Sequence, residues 1–204
     1  MHTETFDLDA GALSLDFANT VEWHASDHPD EHLNSYADLI AWAEAAEIVS
    51  EDRADQLRQL AEKRPEEAGM VFDRAIQLRE TIYRIFADYS GQGEFHADDL
   101  ALLNEALSES MSHLQVAASA EGFAWSWRES SGSFDEILWP VVRSAGELLT
   151  SEKLDRVSQC SDDRGCGYLF VDTSRNHSRR WCSMESCGNR AKAQRHYKRQ
   201  QKAQ

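Results

Sequence analysis

Residues 160–190 read Cys160-Ser-Asp-Asp-Arg-Gly-Cys166-Gly-Tyr-Leu-Phe-Val-Asp-Thr-Ser-Arg-Asn-His-Ser-Arg-Arg-Trp-Cys182-Ser-Met-Glu-Ser-Cys187-Gly-Asn-Arg190. All four cysteines of the chain fall inside this stretch, as C-x5-C and C-x4-C separated by fifteen residues. Two close pairs with a short insert are how a chain presents four thiolates to one tetrahedral zinc ion. The x2 loop is commoner in such sites, but longer loops can also bring two sulfurs onto one metal. Two disulfides are the alternative, which a reducing cytoplasm opposes. Tyr168-Leu-Phe-Val171 is a β-prone run, Asp172 to Asn176 is turn chemistry, and Arg179-Arg-Trp181 returns to Cys182. The expectation is a hairpin between the cysteine pairs. From Arg190 to Lys202 every residue tolerates a helix, so Cys187 is expected at a helix N-terminus, where a thiolate is favoured. Fewer than 50 residues bury little, so the metal is expected to supply much of the folding free energy.

Charge divides the chain at the same place. The 204 residues carry a net charge of −15. Residues 1–155 hold 10 Lys/Arg against 32 Asp/Glu, a balance of −22, and residues 156–204 hold 11 against 4, a balance of +7. Such asymmetry points to two parts with different partners: an acidic domain over 1–155 and a basic module over 156–204. With 41% hydrophobic residues a core can be built,. No apolar run is long enough to span a membrane, and Met1 to Thr5 lacks the pattern of a secretory signal. The expected location is the cytoplasm.

Cys187-Gly-Asn-Arg190 spells the motif of the CGNR zinc finger, and the whole stretch from Cys166 to Ala193 resembles that family. Gly11-Ala-Leu-Ser-Leu-Asp-Phe-Ala-Asn-Thr20 is similar to the opening of the ABATE domain, the usual partner of this finger. The resemblance implies a bacterial, stress-linked transcription regulator with a DNA-binding finger. It also implies one structural zinc ion held by Cys160, Cys166, Cys182 and Cys187, in a treble-clef-like or ribbon-like finger.

From Arg175 onward nine Lys/Arg face one acidic residue, Glu185. Arg175, Arg179 and Arg180 lie before the second cysteine pair; Arg190, Lys192, Arg195, Lys198, Arg199 and Lys202 lie on the expected helix. Lys192, Arg195 and Arg199 share a face at helical spacing. Arginines suit bidentate contacts to phosphate or guanine, so the eight residues Arg175, Arg179, Arg180, Arg190, Lys192, Arg195, Lys198 and Arg199 are the candidate DNA contacts. Arg190, next to a ligand, has a second possible role in bracing the metal site. A basic helix can instead dock on the acidic part of its own chain, and charge does not separate the two.

The acidic part is expected to be mainly helical, making the fold class α+β. Ser35 to Asp38 resembles a capping box, with Tyr36, Leu39, Ile40 and Ala43 on one stripe. Further helices are expected over 51–63, from Pro65 to about Ser90, and around Leu100, Leu103 and Leu107. Leu114 to Ala118 and Phe123 to Trp127 alternate, the pattern of a hairpin, whose aromatic face is expected in the core. Ser133-Phe-Asp-Glu136 opens a helix to about 150 with a kink at Pro140. Segment 13–21 fits helix or strand, with helix favoured. His24, His28 and His32 are expected as loop histidines, because Pro29 breaks the helix that would align them. Asp16 and Asn19, one turn apart, could line a pocket, cap or face solvent.

No phosphate loop, nucleophile elbow or two-histidine zinc-enzyme motif appears, and a closed four-thiolate site lacks the open position catalysis needs. The expectation is therefore a zinc-dependent DNA-binding regulator, with DNA as partner and a sensor-like N-terminal domain that could take a small-molecule ligand. A protein-interaction adaptor is the alternative, and an enzyme working through residues 1–155 the weaker one.

Overall fold

The computed structural model describes residues 6–91, 93–119, 122–128 and 132–202, with the side chains of residues 196, 198, 199 and 202 left aside. Helices dominate. α1 (Leu13–Ala18) opens the chain, followed by the short strands β1 (Val21–Glu22) and β2 (Asp30–Glu31), which pair antiparallel. α2 (Tyr36–Ala45) starts where expected: the Ser35 hydroxyl accepts from the Asp38 N–H and donates to the Asp38 carboxylate,. α3 (Glu51–Lys63) is capped in the same way by Ser50. Pro65 is the first residue of α4 (Pro65–Ser90), whose Ala75, Leu78, Ile82, Ile85 and Phe86 form the buried stripe,. α5 (Ala97–Ser112) follows.

The core lies where α1 sits between α4 and α6 (Leu138–Leu149), with α2 and α5 closing its sides. Arg79 on α4 ties the small β1–β2 ribbon down. Its guanidinium is buried and donates to both Glu31 oxygens at 2.6 Å and to Glu80 at 2.9 and 3.0 Å.

Two details depart from the sequence reading. β3 (Leu114–Ser119) and β4 (Gly122–Trp127) form the expected hairpin, but its aromatic face is not core: Phe123 is 84% and Trp125 60% exposed. Alternation records that one face is apolar; it does not say that anything covers it. Pro140 lies in the first turn of α6 and not in the interior of a longer helix, so the amide it lacks would have had no helical acceptor,.

The basic part adds a third antiparallel pair, β5 (Val157–Gln159) with β6 (Leu169–Val171), and ends in α7 (Asn189–Lys202). Here the expected strand partner is corrected. β6 pairs with residues before the first cysteine, not with 179–181, so the Cys160–Cys166 loop is itself the hairpin turn. Residues 179–181 cannot supply a strand, because Arg179 turns inward (below). The second cysteine pair leads into α7, an order that makes the finger treble-clef-like.

β6 is shared between two cores. Leu169 and Val171 point into the large core with Val157, while Phe170 on the opposite face packs with the cysteines and Trp181,. Its two edges are also divided. One edge pairs with β5. On the other, the Val171 N–H donates to the Ala10 carbonyl at 2.8 Å, and the Asn19 amide serves Leu169, accepting from its N–H at 2.9 Å and donating to its carbonyl at 2.8 Å.

Candidate metal centre

Each pair of cysteines is positioned by a tight turn. In the first, the Cys160 N–H donates to the Tyr168 carbonyl at 2.8 Å and closes the loop. Gly165 and Gly167 have φ of +85° and +72°, open to glycine but strained for other residues,. A Cβ at Gly167 would sit 2.6 Å from the Tyr83 hydroxyl and 2.7 Å from the Ala25 nitrogen. Glycine thus lets the loop press against residues 24–26, where the His24 N–H reaches the Cys166 carbonyl at 3.1 Å. In the second, the Ser183 side chain accepts from the Glu185 N–H and caps a wide turn, Met184–Gly188, which delivers Cys187 to the start of α7.

The four sulfurs lie within 4.8 Å of one another. The Cys166–Cys182 separation is 3.8 Å and the Cys182–Cys187 separation 3.5 Å. Tetrahedral zinc with Zn–S bonds of about 2.3 Å requires sulfurs about 3.8 Å apart, so the donor set fits. Among the described residues this is the only such cluster of three or more His, Cys, Asp or Glu side chains. Without a cation the cluster is electrostatically frustrated. Hydrogen bonds from Cys166 and Cys182 hold the Cys160 thiol well below its usual range, and the same contacts with Cys160 push Cys166 and Cys182 up. One thiolate suppresses the next; a divalent ion removes that conflict. Four thiolates fill a tetrahedral ion's coordination, which makes the centre structural.

Arginines brace the centre. Arg190 donates to the Cys187 sulfur at 3.0 Å and lies 3.6 Å from buried Asp162. Arg164 also binds Asp162 at 3.1 Å, and its guanidinium and that of Arg190 stand 5.0 and 4.9 Å from the Trp23 ring,. Arg179 lies 4.2 Å from the Phe170 ring and donates to the carbonyls of Trp181 and Cys182. Arg179 and Arg190 are thus engaged within the finger. Arg175, Arg180, Lys192 and Arg195 are exposed, with Arg180 and Arg195 at 5.5 and 5.7 Å from the Trp181 ring. The side chains of Lys198 and Arg199 lie outside the described residues.

The three histidines do not converge. His24 stacks on Tyr83 with ring centroids 3.5 Å apart and bonds Glu80 at 2.9 Å, so it is part of the fold, while His32 lies 3.5 Å from Glu22. Sequence reasoning missed Asp162, Trp23 and the pairing role of Asn19. No spacing rule marks them, because each acts on a group distant in sequence or on backbone.

Asp16 and Asn19 do line a cavity, of about 250 Å3, beside Cys166, Cys182 and Cys187. Burial pushes the Asp16 carboxyl up to about 6, against the Ala10 N–H that it accepts at 2.9 Å, and Asp9 adds to the rise. A raised carboxyl favours the protonated fold, so this contribution to stability is present below about pH 4 and lost as pH rises through 6. Asp16→Asn should therefore melt like the parent near pH 4 and become more stable by up to about 2 kcal/mol at pH 8, allowing for partial solvent screening. Thermal melts of both proteins across that range check it; an unchanged gap at every pH would refute the assignment.

Family models match two segments of the chain. Residues 11–152 match ABATE, described as "Putative stress-induced transcription regulator". Residues 156–200 match the CGNR zinc finger. Neither description is that of an enzyme. No curated protein matches the chain. No helix is long and apolar enough to cross a membrane.

Proposed function

The chain belongs to the ABATE family and carries a CGNR zinc finger that binds one zinc ion, and from this premise we propose that it regulates transcription by binding DNA through the finger's basic face. The observation that carries the reading is the division of labour among the cations. Arg164, Arg179 and Arg190 make the contacts of the metal centre, Arg164 and Arg190 from exposed positions, while Arg175, Arg180, Lys192 and Arg195, also exposed, form no ion pair with a described carboxylate. A closed thiolate centre does no chemistry of its own. Its effect is to fix the start of α7, so that the helix presents its cations at a set angle to the hairpin. Surface arginines so held suit phosphate and guanine edges. Lys198 and Arg199 extend the same helix and complete the proposed contact set, with Arg179 half-buried beneath it and the exposed Arg190 beside the metal centre. In this reading residues 156–204 contact DNA and the acidic residues 1–155 form the regulatory part.

The test is salt-dependent binding of duplex DNA by the full zinc-loaded chain. Each phosphate contact contributes about −0.9 to the slope of log affinity against log salt. Replacing Arg175, Lys192 and Arg195 together by Ala should make the slope shallower by up to about 2.7. Zinc content should not change, because none of the three is a ligand. Absent or salt-insensitive binding would reject the proposal and put the protein-interaction adaptor ahead.

A further inference from the structure

The β3–β4 hairpin stands off the helical body. Its register runs from Leu114 opposite Trp127 to Ser119 opposite Gly122. Leu114, Val116, Phe123, Trp125 and Trp127 therefore share one face, and the other holds only Gln, Ala, Ser and Gly,. The base is anchored: Trp127 is tilted towards Trp139 of α6 at 5.9 Å, and the Arg128 N–H donates to the His113 carbonyl at 2.8 Å. Beyond the base the cover is lost. Val116 and Trp125 are each 60% exposed and Phe123 84%. Arg143 stands 5.8 Å from the Trp125 ring, but its charge is taken by Glu147 at 2.7 Å.

Sheet edges are normally blunted by charge, proline or a bulge, because an open edge pairs with other chains. Neither β3 nor β4 contains a charged residue or a proline, their register is unbroken over six pairs, and among the described residues neither pairs with a third strand. A lone two-stranded hairpin is marginal in water; three or more strands with an apolar face are needed for independent stability. Charge selects the partner. Residues 1–155 carry a balance of −22, so nucleic acid and anionic lipid are repelled. A basic partner would find no carboxylate on either strand. An uncharged apolar surface is what fits, and this chain's own hairpin is one. Two acidic bodies meet with least repulsion where neither carries charge. The area is modest: at these exposures Phe123 and Trp125 leave roughly 300 Å2 uncovered per copy,. Such a contact falls at the small end of specific interfaces, below about 1,200 Å2, as a weak dimer does.

We propose that the chain forms a homodimer through this hairpin, with β4 laid against β4 of a second copy and Phe123 and Trp125 at the centre of the contact. A twofold axis beside β4 relates the strand to itself, so the pairing is antiparallel. The result is one four-stranded sheet with a continuous apolar face. The proposal is independent of DNA binding, and its failure would leave that reading untouched.

The experiment is sedimentation equilibrium of the full zinc-loaded chain over a range of concentrations, without DNA. The parent should pass from monomer to dimer as concentration rises, with a micromolar Kd. Phe123→Glu should weaken the dimer about thirtyfold or more, the loss expected of a central aromatic. The dilute monomer should keep its helical circular dichroism and thermal midpoint, because this side chain packs on little within one copy. Val116→Glu, on the other strand of the same face, should act alike and decides the matter if Phe123→Glu folds poorly. Met70→Glu replaces a side chain 71% exposed on α4 and should leave the dimer at parental strength. A parent monomeric at every concentration, a dimer that survives both hairpin variants, or one that Met70→Glu weakens as much would overturn the proposal. So would a monomeric parent that sediments with neutral phosphatidylcholine vesicles, which would assign the face to a lipid surface.

Discussion

Chelation of zinc from the native chain should lower its thermal midpoint by roughly 10 °C, and Cys187→Ser should do the same while releasing the metal. Four thiolates give a zinc-dependent module about 10–16 kcal/mol of apparent binding free energy. The finger's own core is small: Phe170 and the buried cysteines, with Trp181 and Tyr168 partly covering them. That apolar surface cannot hold four mutually repelling thiols together, so the metal's contribution goes directly into folding. The effect should not stop at the finger. β6 turns Leu169 and Val171 into the core formed by α1 and α4, so loosening the Phe170 face loosens the other face as well. If a third of the metal's contribution reaches the whole chain, the loss exceeds about 3 kcal/mol, and for a protein of this size each kcal/mol moves the midpoint by about 2–4 °C. Zinc should be released at one ion per four thiols when a mercurial titrates the native protein. Four freely reactive thiols with no zinc released, and an unchanged midpoint after chelation, would refute this.

How much of this was legible in the sequence depended on whether the determining interaction was local. Caps and stripes act within one or two turns, so Ser35, Pro65 and the Ala75–Phe86 face locate α2 and α4 directly,. The cysteine spacing locates the metal centre for the same reason, because each pair needs only its own turn. Strand pairing is a distant event. Leu169 to Val171 was recognisable as a strand from its β-branched and aromatic composition, but three residues carry too little pattern to select a partner. The choice was made by the Cys160–Cys166 loop, which folds β5 back onto β6, and by Arg179, whose contacts with Phe170, Trp181 and Cys182 take its segment out of the sheet. The exposed face of the β3–β4 hairpin was illegible in another way. Val116, Phe123 and Trp125 have the same alternation whether covered or bare, and only the three-dimensional neighbourhood tells the two apart. Asn19 is the clearest case, since a polar residue after a short helix looks like a cap.

Asn19→Leu should cost about 3–5 kcal/mol, more than any other single change considered for residues 1–155. Asn19 follows α1 directly, 9% exposed, and its amide stands in for a peptide group on the free edge of β6. Leucine has a comparable volume but leaves the Leu169 N–H and carbonyl buried and unpaired, each worth about 1–3 kcal/mol. An ordinary loss of packing would make leucine the mildest replacement; a loss of paired backbone makes it among the harshest. Asn19→Asp separates these accounts. An ionised carboxylate still accepts from the Leu169 N–H but faces the Leu169 carbonyl with no proton to donate. A protonated one restores both bonds. The variant's stability relative to the parent should therefore be recovered as pH falls through its carboxyl pKa, which burial and the facing carbonyl raise above the ordinary value of about 3.9. Because the Asn19 bonds lie on the strand that also carries Phe170, Asn19→Leu should weaken zinc retention as well, although Asn19 is not a ligand. Denaturant unfolding followed by circular dichroism, with zinc release read by a colorimetric chelator, measures both effects. A leucine variant as stable as the parent, or an aspartate variant indifferent to pH, would mean that the two Asn19 bonds do not hold the finger to the acidic helices.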